Sequence, residues 1–205
     1  MRSSSARSPA RRQCLNSPEH MTIKQIMLDA LRFIGREEIA ADILSGAEPY
    51  GEAAETADTL LYCVNAVEDE LARYYFPLKR TDALHSEDKT FGFEKFSRTP
   101  VKILKVEDGR KQIEYELELN RIIADANNIF VTYFYAPKKK TIDDDSEFGD
   151  MADGMITAYG AAAEFCIIQG EAARAEAFET RYREAIDRAQ RSSSKGAAVP
   201  PRRWI

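Results

Sequence analysis

Pro77 splits the chain between two folding regimes. Ahead of it, from about Glu52 to Phe76, Ala57, Leu60, Leu61, Val64, Val67, Leu71, Tyr74 and Tyr75 recur at helical spacing, and a proline without an N–H stops that helix. Beyond it the apolar period changes to two. The run "VKILKV", "EDGR", "QIEYELEL" predicts a hairpin turning at Asp108-Gly109. Ile113, Tyr115, Leu117 and Leu119 take its buried face, and Gln112, Glu114, Glu116 and Glu118 its open one. "IFVTYFY", Ile129 to Tyr135, is apolar on both faces and reads as a central strand of the same small antiparallel sheet. Neither a purely helical nor a purely stranded fold accommodates both patterns.

Helical segments flank the strands. Thr22 and Gln25 have capping-box spacing, after which Ile23, Ile26, Met27, Ala30, Leu31 and Ile34 form one stripe ended by Gly35. A second, short piece runs around Ile39 to Leu44. Two more helices follow the charged connector "KKKTIDDDSEFGD", approximately Met151 to Gln169 and Glu171 to Arg191, joined at Gly170 as an antiparallel pair. The first presents Met155, Ile156, Tyr159, Ala162, Ala163, Cys166 and Ile167; the second presents Ala175, Phe178, Tyr182, Ile186 and Ala189. The expected fold is therefore α+β, mainly α: a bundle of about four helices with a small antiparallel β insertion and extended termini. Its parts are an arm over residues 1–20, a folded domain over 21–191 and a tail over 192–205. Within the domain, helices fill 22–76, a loop 77–99, the β insertion 100–136 and the helical pair 150–191. The loop has no apolar period, holds at most one short strand, and is long enough to suggest a contact element.

Composition narrows the class. Hydrophobic residues at 44% and charged residues at 31% fit an ordinary globular chain, and no apolar run nears the roughly 20 residues that cross a bilayer. The net charge of -5 is uneven, because the first twenty residues set Arg2, Arg7, Arg11 and Arg12 against Glu19 alone. The remaining body is acidic and ill suited to broad duplex binding, which depends on neutralising phosphates. The Ser- and Arg-rich opening lacks an apolar stripe and reads as a disordered arm or an upstream start, with Met21 the natural first residue. Cys14, Cys63 and Cys166, odd in number and far apart, point to a reducing compartment without a disulfide frame.

Few residues carry an obvious chemistry. His20 and His85 have no cysteine or carboxylate at ligand spacing. The phosphate-cradling glycine patterns and the nucleophile elbow are missing from the sequence. Asp143, Asp144 and Asp145 lack the alternation of a calcium loop and read as a solvated acidic loop, locally balanced by Lys138, Lys139 and Lys140. No metal and no cofactor is expected. Glu68 lies in apolar surroundings on a helix and is the best candidate for an acid of raised pKa, although an inward glutamate more often has a buried partner or a subunit contact. Glu114, Glu116 and Glu118 read as a solvated sheet face, or, in a ring, as acids lining a channel that DNA passes without sticking.

The end of the chain, "AAVPPRRWI", holds the only tryptophan. Arginine and tryptophan dominate the energetic centres of interfaces, and prolines lower the ordering cost of a segment that binds extended. Pro200, Pro201, Arg202, Arg203, Trp204 and Ile205 are therefore expected to dock on another subunit, the alternative being that Trp204 folds back on its own helical pair.

The order of these features resembles the head-to-tail connector adaptors of tailed bacteriophages and prophages. The resemblance runs from Met21 to Ile205 and rests on the first amphipathic helix, "YYFPL", "IFVTYFYAP", "MITAYGAAAEFCIIQGEAARAEAFETRYREAIDRA" and the arginine-tryptophan ending. It implies a virion structural protein rather than an enzyme, assembled as a dodecameric ring in the virion neck. Pro200 to Ile205 would reach the portal, the β region a downstream tail protein or the channel, and DNA would pass without specific binding or any membrane partner. Two other readings compete: a cell-wall glycan hydrolase with Glu68 as proton donor, and a DNA-binding regulator using Arg2 to Arg12.

Overall fold

A computed structural model describes residues 21–45, 51–149 and 154–194. Five α-helices occupy them: α1 (Ile23–Phe33), α2 (Glu37–Ser45), α3 (Glu52–Glu70), α4 (Met155–Ile168) and α5 (Ala172–Ser194). Six strands lie between α3 and α4: β1 (Leu78–His85), β2 (Thr90–Gly92), β3 (Pro100–Glu107), β4 (Tyr115–Leu117), β5 (Arg121–Ala124) and β6 (Asn128–Tyr135). They make two three-stranded antiparallel sheets, ordered β1-β6-β3 and β2-β5-β4. This overturns the expected bundle of about four helices with a minor insertion. The strands close their own core, built on Leu84, Phe91, Val106, Ile122, Val131 and Tyr133, beside the helical one.

The helices assemble around α4. Ile156, Ala158, Ala161, Ala162, Phe165 and Cys166 are all buried, so α4 has apolar surface almost all round instead of a single stripe. Its small residues let α1, α3 and α5 approach closely. Gly160 marks the tightest point, where an added Cβ would lie 2.8 Å from Val67 and 3.0 Å from Tyr182. Ile167, placed on the apolar stripe by spacing, is instead 59% exposed where the helix runs out of neighbours. Gly170, with φ 75°, turns the chain into α5, and the Glu171 N–H returns to the Cys166 carbonyl at 2.8 Å.

Helix α3 continues into one π turn over Leu71–Tyr75, closed by the Phe76 N–H on the Leu71 carbonyl at 2.7 Å. The wider turn keeps Leu71 and Tyr75 on the packed side and turns Tyr74 outward, where it is 75% exposed against the expectation of a buried stripe. Pro77 then ends the helix, and Phe76 and Leu78 pack beside Tyr75 against the foot of α5.

The segment 77–99, expected to be loop with at most one strand, contains β1, β2 and a 3-10 turn at Phe93–Lys95. An inward position of β1 is filled by Asp82, which erases the period-two signal. Its carboxylate accepts from the Tyr133 hydroxyl at 2.7 Å, the Ser97 N–H at 2.8 Å and Arg80 Nε at 3.0 Å. The predicted hairpin at Asp108-Gly109 also differs. Gly109 takes φ 90° at the turn, but the pairing past it is a single bridge, Glu107 to Gln112. The chain then leaves the first sheet, and "YEL" pairs with β5 in the second.

Candidate functional site

Glu68, on the inner side of α3, is 1% exposed. Ser146, from the connector after β6, donates its hydroxyl to Glu68 Oε1 and accepts the Phe148 N–H at 3.0 Å, while Glu68 Oε2 has no hydrogen-bond partner among the described residues. Burial pushes the carboxyl up from its ordinary value, against the opposing pull of the Ser146 bond and of Lys140. The arrangement is a sealed peg holding the connector to α3. A general acid needs contact with its substrate, and at 1% exposure among the described residues this carboxyl offers little surface for one.

The acidic run of the connector has a structural task. The carbonyls of Ile142 and Asp144 accept the Lys24 and Ile23 N–H groups at 2.9 and 2.8 Å, supplying partners for the open end of α1, whose Thr22–Gln25 capping box is formed. Asp144 accepts from the Thr141 N–H at 2.6 Å, and Asp145 bridges to Thr22. Among the described residues no cluster of three or more His, Cys, Asp or Glu is placed to hold a metal. His85 ends β1 beside Asn128, with Nδ1 2.8 Å from its Oδ1. Cys63 and Cys166 are free and buried.

An open groove of about 800 Å³ runs between the outer side of α3 and the start of the same connector. It is lined by Leu61, Tyr62, Ala66, Ala136 and Pro137, by Asp58 and Asp69 of α3 and Arg73 of the π turn, and by Lys138, Lys139 and Lys140 opposite. Tyr62 is 67% exposed. Asn65 holds the two walls together, donating Nδ2 to the Lys140 carbonyl at 3.1 Å and accepting the Lys140 N–H through Oδ1 at 2.6 Å. Lys140 pairs with Glu147 at 3.4 Å and Asp69 with Arg73 at 2.6 Å, whereas Lys138 and Lys139 point into solvent. Sequence spacing gave no sign of this groove, because its two walls lie about as far apart in the chain as Asn65 and Lys140.

The glutamates of the second sheet do not form the expected row. Glu114 precedes β4, only Glu116 lies within it, and Glu118 pairs with Arg121 across a two-residue turn of Leu119 and Asn120. Leu117 and Leu119, placed by alternation on a buried face, are 54% and 94% exposed. The strand ends after Leu117, so alternation past that point describes a turn, and Leu119 becomes its apex. Glu114, Glu116 and Leu119 are all solvent-exposed along β4 and the turn that follows it. The predicted docking residues Pro200, Pro201, Arg202, Arg203, Trp204 and Ile205, like Arg2 to Arg12 and His20, lie outside the described residues.

The chain matches no protein-family model and no curated protein. Among the described residues no helix is long and apolar enough to cross a membrane.

Proposed function

We propose that this chain is a structural subunit of a head-to-tail adaptor, which assembles into a ring between the portal and the tail of a virion and continues the DNA channel. The sequence resemblance suggests the class. The observation that carries the reading is the β4–β5 turn, where Leu119 is 94% exposed at the end of a sheet whose core is shared with the other sheet. Leu117, two residues earlier, is also exposed at 54%, and two neighbouring uncovered leucines at a turn suit a surface that works by contact. The burial of Glu68 against the Ser146 hydroxyl favours a structural role for it over that of a proton donor. In this reading the segment Pro200 to Ile205 docks on the portal. Deleting Val199 to Ile205 is expected to abolish co-sedimentation with portal particles while leaving the circular dichroism spectrum intact. Undiminished co-sedimentation of the folded, truncated chain refutes the reading.

A further inference from the structure

Two features of the surface are left uncovered by the described residues of one subunit: the groove beside α3 and the leucine-tipped β4–β5 turn with the glutamates that lead to it. Their chemistry is complementary. The groove has an apolar floor at Leu61, Tyr62 and Ala66 and exposes Lys138 and Lys139 on one rim. The turn has an apolar apex at Leu119, with exposed Glu114 and Glu116 on the strand edge leading to it. Among the described residues β4 is also an edge strand, with β5 on one side and no strand on the other.

We infer that the β4–β5 turn of one copy seats in the α3 groove of a second copy, Leu119 entering between Tyr62 and Ala66 while Glu114 and Glu116 face Lys138 and Lys139. The contact joins two different surfaces, so each copy keeps one free turn and one free groove after pairing. Such a heterologous contact propagates, closing into a ring where the rotation permits and continuing as a filament where it does not. Apolar insertion supplies the affinity and the rim charges set the register, so assembly weakens as salt screens the exposed pairs. The closed ring rests on the adaptor reading; the pairing of turn with groove rests on the two surfaces alone.

The full chain is examined by sedimentation velocity at low salt over a range of concentrations, with two variants. Leu119→Ser disables the turn, and Lys138→Glu with Lys139→Glu disables the groove; all three positions are solvent-exposed, so both variants are expected to keep the wild-type melting temperature. The wild type is expected to form species larger than a dimer, and each variant alone to remain monomeric. Mixed in equal amounts, the variants are expected to give a dimer and nothing larger, because one contributes only a working groove and the other only a working turn. A second measurement reverses the rim: Glu114→Lys with Glu116→Lys is expected to restore assembly to the lysine-reversed chain. A wild type that stays monomeric throughout, variants that assemble as it does, or a mixture that stays monomeric overturns the inference. Loss of portal co-sedimentation with self-assembly retained counts against neither surface, and self-assembly can fail while portal docking persists, so the two readings fall separately.

Discussion

Asp82 offers the sharpest test of how the sheet is held. Burial alone raises a carboxyl, yet the donors from Tyr133, Ser97 and Arg80 outweigh it and hold Asp82 at about 2. The fall from its ordinary 3.8 to that value corresponds to about 2 kcal/mol of stabilisation of the ionised form. Since the folded value lies below the unfolded one, this stabilisation is complete above pH 3.8 and is lost as the pH falls through about 2. Asp82→Asn preserves the shape, removes the charge, and sets an amide donor where the Ser97 N–H and the Tyr133 hydroxyl both need an acceptor. The variant is expected to be about 2 kcal/mol less stable than the wild type at pH 7, a large fraction of a typical total of ~5–15 kcal/mol. The gap should narrow as the pH falls toward 2 and close toward zero below it, where the wild-type carboxyl is itself protonated. Urea unfolding followed by circular dichroism measures the difference, and taking it between two chains at each pH cancels the titration of other carboxylates. A gap of the same size at both ends of the range, or no gap at pH 7, refutes the charge-assisted account.

Gly160→Val is expected to cost about 1–3 kcal/mol by overpacking, because its Cβ would lie 2.8 Å from a methyl of Val67, a β-branched side chain with little rotamer freedom; an unchanged melting temperature would show that α3 and α4 are not closely apposed. Glu68→Gln tests the opposite sign. With the folded pKa raised, the glutamate's contribution is fully present below its ordinary 4.5 and is lost as the pH rises through the folded value. The Gln variant should therefore gain on the wild type between pH 5 and pH 8, and melting curves in which the wild type gains instead would place a cation against Glu68.

What the sequence makes legible depends on how local the cause is. The capping box at Thr22, the stop at Pro77, the reversal at Gly170 and the doubly apolar β6 each follow from a few neighbouring residues, and each feature stands in the structure. β1 escapes because its inward residue is Asp82, whose partners Ser97 and Tyr133 lie 15 and 51 positions away. A strand with a charged interior position shows no alternation until those partners are known. The pairing of "QIEYELEL" fails for a related reason: period two specifies faces but does not specify a partner, and β4 leaves β3 for β5.

The same distinction governs the charged runs. Three lysines followed closely by three aspartates look self-neutralising in sequence, and distance along the chain is the only measure available there. In the fold, Asp144 is taken by Thr141 and Asp145 bridges to Thr22, both within the cap of α1, and Lys140 turns to Glu147. Lys138 and Lys139 thus remain exposed beside the groove, as do Glu114, just before β4, and Glu116 within it. Among the described residues neither pair meets its opposite, although each sits beside apolar side chains that are also exposed. Exposed charge around exposed apolar side chains, as at Leu117 and Leu119 or at Tyr62, has the make-up of an interface with an apolar centre and a polar rim. Two such places with opposite charge on one chain are the arrangement that a directional contact between identical copies requires.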